Sequence, residues 1–183
     1  MILTEGSVKV ELMNTEGKEL TLTILTPFQF LGELALLDDV PRSATVISME
    51  QSTLLSINKR DFARILESYP RMSIRIMRQL TRRVRVLTDD IASMAFLDSY
   101  SRVTRKILNL AEEMGKETPD GHVMIDQPLT HQQLANLVGT TRETVTKILN
   151  EMKDNGLLSI RRHRITVLDP DELLARADLS GIM

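Results

Sequence analysis

Met77, Val84 and Ile91 stand seven residues apart, and Leu80, Leu87 and Met94 repeat the same interval between them. This is an a/d heptad running through RMSIRIMRQLTRRVRVLTDDIASMAFLD. Such a spacing marks a helix that pairs with another helix. The positions beside the seam are mostly arginine, so the apolar stripe is narrow. A narrow stripe favours a two-helix dimer seam over an amphipathic helix packed only on its own domain. The helix, residues 71–97, divides the chain into a segment 1–70 before it and a segment 98–183 after it.

The segment before the helix reads as β structure. Val8, Val10 and Leu12 alternate with Ser7, Lys9 and Glu11, and a second alternation runs through Leu20, Leu22 and Ile24 after the turn Asn14-Thr15-Glu16-Gly17-Lys18. Residues 44–48 and 53–57 predict two more strands. Asn58 can cap a short helix carrying Phe62, Ile65 and Leu66 on one face, and Pro70 ends it. Between the strands lies FLGELALLDDVPRSATV, which sets Gly32 and Glu33 a short way before Arg42 and Ser43. An arginine fork with a hydroxyl suits a singly charged phosphate. The alternative is a simple Glu33–Arg42 pair across a loop.

After the long helix, Asp98 and Ser99 predict a hinge and cap, followed by a helix with Val103, Ile107, Leu108 and Ala111. Gly115–His122 is polar and leads to Val123-Met124-Ile125. Then comes LTHQQLANLVGTTRETVTKILNEMKDNGLLSIRRHRITVLD. Thr130 with Gln133 is a capping-box signature. Gly139 suits a left-handed helix end. Thr140 or Thr141 caps a second helix, with Val145, Ile148, Leu149 and Met152 as its apolar face. Arg142, Glu143, Thr146 and Lys147 stand on the other face. Helix, glycine turn and helix make a helix-turn-helix. Beyond it, two short strands around Arg161-Arg162-His163-Arg164 predict a basic wing.

Such a second helix can enter a major groove with its first turn. Arginine can donate twice to guanine, and glutamate can accept from cytosine. Arg142 at a helix N-terminus opposes the dipole, which invites a functional reason. Glu143 could instead complete a capping box with Thr140. Thr130, Gln132, Thr141 and the wing cations Arg162 and Arg164 are candidates for phosphate contacts.

Net charge is −2, which looks unsuited to nucleic acid. The distribution says otherwise. Residues 71–97 carry six arginines and two aspartates, and residues 129–167 carry six basic and three acidic side chains. A local basic face matters more than the sum. The chain has no cysteine, which removes disulfides, thiolate metal sites and a cysteine nucleophile. The histidines, His122, His131 and His163, all lie in the last third, so Ser43 has no histidine base in its half of the chain. His131 has no second metal ligand at a suitable spacing. The sequence contains no phosphate-gripping glycine loop and predicts no enzyme. It has no apolar run of membrane-spanning length, which fits a cytoplasmic protein without membrane association.

These motifs, in this order, resemble the cyclic-AMP receptor protein (CRP/FNR) family of bacterial transcription factors. FLGELALLDDVPRSATV resembles its phosphate-binding cassette, AFLDSYSRVTRKILNLA its hinge and first DNA-domain helix, and GTTRETVTKILNEM its recognition helix. The resemblance implies an α+β chain: a cyclic-nucleotide-binding β-roll, a long dimerisation helix and a C-terminal winged helix-turn-helix. It implies cAMP as the effector. Gly32 would permit close approach, Glu33 would accept from the ribose hydroxyl, and Arg42 with Ser43 would hold the cyclic phosphate, flanked by Leu34 and Ala44. Leu87 and Thr88 stand where the family reads the purine amino group across the dimer; Thr88 keeps a polar contact and Leu87 does not.

The family resemblance also implies a homodimer on palindromic DNA with TGTGA-like half-sites read by Arg142, Glu143 and Lys147, with RNA polymerase as a further partner. Met1–Gly6 aligns with the middle of the family's β-roll, so roughly its first three strands are expected to be absent, leaving edges and apolar faces exposed. Two rival functions are an effector-independent regulator of the same fold and a nucleotide-binding regulatory subunit without a DNA role.

Overall fold

A computed structural model describes residues 1–38 and 40–177. Asp39 and residues 178–183, the end of the expected DNA-binding segment, lie outside the described residues. The chain divides into two compact units, Met1–Leu87 and Thr88–Met183. The boundary falls inside the long helix.

The first unit contains strands β1 (Ile2–Glu5), β2 (Val8–Met13) and β3 (Glu19–Leu25), a short helix α1 (Leu34–Leu37), strands β4 (Thr45–Ser48) and β5 (Thr53–Leu55), and helix α2 (Lys59–Ser68). Strands β3, β2 and β4 form one antiparallel sheet, and β1 pairs with β5 in another. The Asn14 side chain accepts from the Glu16 and Lys18 amides and closes the β2–β3 hairpin. Leu3, Val8, Leu25 and Leu31 form the buried core, with Met1 and Val10 packed against it. Strands β4 and β5 bury no residue, and Val46, Ile47, Leu54 and Leu55 are exposed. Asn58 caps α2, accepting from the Asp61 amide at 2.9 Å.

The sequence alternation in β2 predicts Val8, Val10 and Leu12 on one inward face. The structure corrects this. The pairing with β3 shifts register between Val10 and Glu11. The extra residue of this bulge is Leu22 on β3, while β2 keeps an unbroken register with β4. Along β2 itself, Glu11 is buried and Leu12 is exposed. The Glu11 carboxylate is compensated by an ion pair with Lys9 Nζ. Burial opposes the Lys9 ammonium, yet Glu11 and Glu19 still hold its pKa above the ordinary value.

Helix α3 (Pro70–Phe96) is 27 residues long. Proline at its first position leaves no orphan amide there, so Pro70 both stops α2 and starts α3. Along α3, Met77, Val84, Leu87, Ile91 and Met94 are exposed, and Leu80 is half-buried. The g positions turn the other way. In the first unit Ile76 is buried and Arg83 contacts Glu33; in the second, Asp90 pairs with Lys106 and Leu97 is buried. Intramolecular packing thus uses one stripe of α3 and leaves the heptad stripe facing out.

The second unit continues with α4 (Ser99–Met114), β6 (Gly115–Glu117), β7 (Val123–Ile125), α5 (His131–Val138), α6 (Arg142–Asp154), β8 (Leu158–Arg161), β9 (Arg164–Val167) and α7 (Pro170–Arg176). Strand β6, which the polar stretch 115–122 conceals, pairs with β7 in a sheet of order β6-β7-β9-β8. Asp98 caps α4 by accepting from the Ser101 amide at 2.7 Å. Val103, Ile107, Leu134, Val145, Leu149, Met152, Leu158, Ile165 and Leu173 are buried. Each full burial is worth about 1.5–3 kcal/mol, which holds the helices on the sheet. Among the described residues no helix is long and apolar enough to cross a membrane.

Candidate functional site: a carboxylate loop and a cationic helix face

The first site is built on the loop after β3. Gly32 lies at φ +73, a conformation that favours glycine, and a Cβ there would collide with the Arg42 guanidinium. Arg42 folds back to donate from Nη1 to the Gly32 carbonyl at 2.5 Å. The next residue, Glu33, is 6% exposed. Its partner is not Arg42. Arg83 of α3 donates from Nη1 to Glu33 Oε1 at 2.7 Å and from Nη2 to the Phe30 carbonyl. The Arg83 guanidinium also lies 4.7 Å from the Phe30 ring centroid, a cation–π contact.

This arrangement leaves Glu33 Oε2 buried with no hydrogen-bond partner among the described residues. A buried carboxylate oxygen without a donor is costly and calls for one. A ligand hydroxyl fits that requirement. Arg42 and Ser43 are both exposed beside the loop, available to an anion, while Leu34 is exposed and Ala44 half-buried. The donor set thus fits a cyclic nucleotide: one carboxylate acceptor for a hydroxyl, one guanidinium and one hydroxyl for a phosphate. The sequence offers Arg42 as the arginine that balances Glu33. The structure assigns that balance to Arg83 instead. Sequence reasoning missed Arg83 because it sits among six helix arginines with nothing local to distinguish it; its g position on the heptad was the available signal. Leu87 and Thr88 are exposed on α3.

The second site is the face of α6. Thr130 caps α5 in a full capping box with Gln133. Gly139 ends α5 at φ +63. The cap of α6 is Thr141, accepting from the Thr144 amide at 3.2 Å. That resolves the alternative for Glu143. With Thr141 as cap, the third helical position is Thr144, so no capping box involves Glu143. Thr141, Arg142, Glu143 and Lys147 are exposed, while Val145, Ile148, Leu149 and Met152 are buried beneath them.

Thr146 is half-buried; its hydroxyl donates to the Arg142 carbonyl at 2.8 Å and lies 2.8 Å from His131 Nδ1. Thr130 and Gln132 are exposed at the start of α5. The turn between β8 and β9 places Arg162 and His163 at φ +49 and +63. Two consecutive left-handed residues are what a tight two-residue hairpin turn requires. Arg162 is exposed at that tip. Arg164 points elsewhere, into an ion pair with Asp126, which also holds Lys116 at 2.6 Å. Hydrogen bonds from Lys116 and Arg164 hold the Asp126 carboxyl below the usual carboxylate range.

Residues 101–176 match the Crp-like helix-turn-helix domain family, and residues 1–69 match the cyclic nucleotide-binding domain family. The chain is 33% identical over 167 residues to the cAMP-activated global transcriptional regulator CRP of Salmonella typhimurium, covering 90% of this chain and 78% of that protein. It is 29% identical over 176 residues to the CRP-like cAMP-activated global transcriptional regulator of Mycobacterium tuberculosis, covering 96% of this chain and 78% of that protein. Among solved structures, a CooA variant from Carboxydothermus hydrogenoformans superposes with a TM-score of 0.80 at 27% identity, over 94% of this chain and 75% of that one.

Proposed function

The chain belongs to the CRP/FNR family of transcription regulators, and from that premise we propose that it is a homodimeric, sequence-specific DNA-binding regulator controlled by cAMP. The observation that carries the DNA role is the division of α6: four apolar residues are buried, while Thr141, Arg142, Glu143 and Lys147 are presented outward from a capped N-terminus. Arg142 is suited to guanine, Glu143 to cytosine, and Lys147 to either a base edge or a phosphate. Thr130, Gln132, Thr141 and Arg162 surround that face with phosphate-binding groups; Thr146 gives its hydroxyl hydrogen to the Arg142 carbonyl, and Arg164 supports the wing through Asp126.

The effector reading rests on Glu33. Its unsatisfied Oε2 suits the ribose 2′-hydroxyl, with Arg42 and Ser43 for the cyclic phosphate. In the dimer, two α3 helices would pack through Met77, Leu80, Val84, Leu87, Ile91 and Met94, bringing Thr88 of one protomer toward the nucleotide of the other. A ligand bound more tightly by the DNA-competent arrangement shifts the population toward it. Both recognition helices would then meet half-sites about 34 Å apart. A cytoplasmic location and contact with RNA polymerase follow from the same reading.

The test is calorimetric titration with cAMP and cGMP, together with binding to a palindromic TGTGA-type duplex with and without nucleotide. Heat with cAMP and tighter DNA binding in its presence are expected. DNA binding that is tight and indifferent to either nucleotide would instead identify an effector-independent regulator, a reading that Leu87 favours because it supplies apolar seam in place of a polar ligand contact.

A further inference from the structure

His131 opens α5 and has no role assigned by the family match. Its Nδ1 lies 2.8 Å from Thr146 Oγ1 on α6. Thr146 spends its single hydroxyl hydrogen on the Arg142 carbonyl, also at 2.8 Å. The hydroxyl can therefore only accept from His131, which places a hydrogen on Nδ1. Nε2, on the far side of the ring, is then the basic nitrogen. This chain of bonds ties the first residue of α5 to the first turn of the recognition helix.

The charged groups around the ring come from different elements. Arg142 faces it from α6 and His163 from the β8–β9 turn. The residues α5 itself contributes after His131 are all uncharged. Burial, then Arg142, then His163 lower the His131 pKa below the usual histidine value. In the free protein at neutral pH the ring is accordingly neutral. Arg142 and the half-buried ring form the patch on which a DNA phosphate would come to rest. A phosphate there reverses the local sign of the potential and favours a second proton.

Resting on the DNA-binding reading above, we infer that His131 is a proton-linked phosphate contact: DNA binding draws a proton onto Nε2, and the doubly protonated ring bridges the recognition helix and the DNA backbone. Its sign follows from linkage. The bound state holds the proton more tightly, so the gain in affinity is present below the pKa of the complex and is lost as pH rises through it.

The experiment measures binding of the full chain to a palindromic duplex between pH about 8 and about 6 at constant ionic strength, with cAMP present. Affinity should rise as pH falls, by up to about tenfold per pH unit for each protomer that takes up a proton. His131→Asn, which keeps a donor for Thr146 but cannot titrate, should flatten the profile, whereas His163→Asn should keep the rise. Nuclear magnetic resonance of the wild-type His131 ring should show its pKa moving up when duplex is added, whatever the variants do. A wild-type profile that is flat, an unchanged slope in His131→Asn, or a ring pKa that ignores the duplex overturns the inference while leaving DNA binding intact. No binding at any pH overturns the DNA-binding reading itself, and this inference with it.

Discussion

Arg83 and Glu33, 50 residues apart in sequence, form the ion pair that joins the long helix to the carboxylate loop. Its Nη1 reaches Oε1 at 2.7 Å, while Oε2 remains buried and without a donor. The loop is thereby pinned to α3 and still holds an open acceptor. Replacing Arg83 with methionine should leave the Glu33 charge buried without its partner. The expected cost is about 1–3 kcal/mol of stability, read by urea unfolding, together with weaker nucleotide binding by calorimetry. A variant as stable as the parent would show that the pair contributes no more than an exposed one. The double variant with Glu33→Gln should recover part of the stability but not the nucleotide affinity.

Arg142 stands at the first position of α6, exposed beyond the Thr141 cap. Arg142→Ala should cost about 1–3 kcal/mol at the specific duplex and little at a scrambled one. Equal losses on both duplexes would assign Arg142 to phosphate alone. Lys147→Ala provides a contrast, because removing a cation that neutralises a phosphate should reduce the salt dependence of binding on both duplexes.

Ile91 is 68% exposed on the heptad stripe, so its replacement should disturb the protomer little. Ile91→Glu should place like charges opposite each other at the seam. Sedimentation should then show a monomer, with affinity for the palindrome reduced by about 10²-fold or more, since the half-sites no longer act together. A dimer that persists would exclude this stripe as the seam.

Phe28 adopts φ +70 and is 85% exposed, so a bulky residue occupies a backbone conformation natural to glycine and gains little packing in return. Relief of that strain outweighs the extra unfolded-chain entropy of glycine. Phe28→Gly should therefore stabilise the first unit by about 1 kcal/mol, measured as a higher urea midpoint with unchanged slope. A lower midpoint would mean that Phe28 packs favourably enough to outweigh the backbone strain.

Local patterning made several features legible in advance. The α5 capping box, the left-handed Gly139, the two faces of α6 and the a/d stripe each depend on residues within one or two helical turns. The same is true of the Asn58 and Asp98 caps. Short-range geometry governs these elements, so residue order alone carries them.

The remaining features required the chain to fold over large separations. The alternation in β2 did not disclose that Glu11 would be buried and Leu12 exposed, because what covers each face of a strand is supplied by distant parts of the chain. One of the six helix arginines became the partner of Glu33, and Arg42 went to the Gly32 carbonyl instead. Periodicity thus determined which helices form and which of their faces are apolar. Only tertiary structure decided how the buried charges are paired, because a charge removed from water must find its counterion wherever the fold brings one within reach.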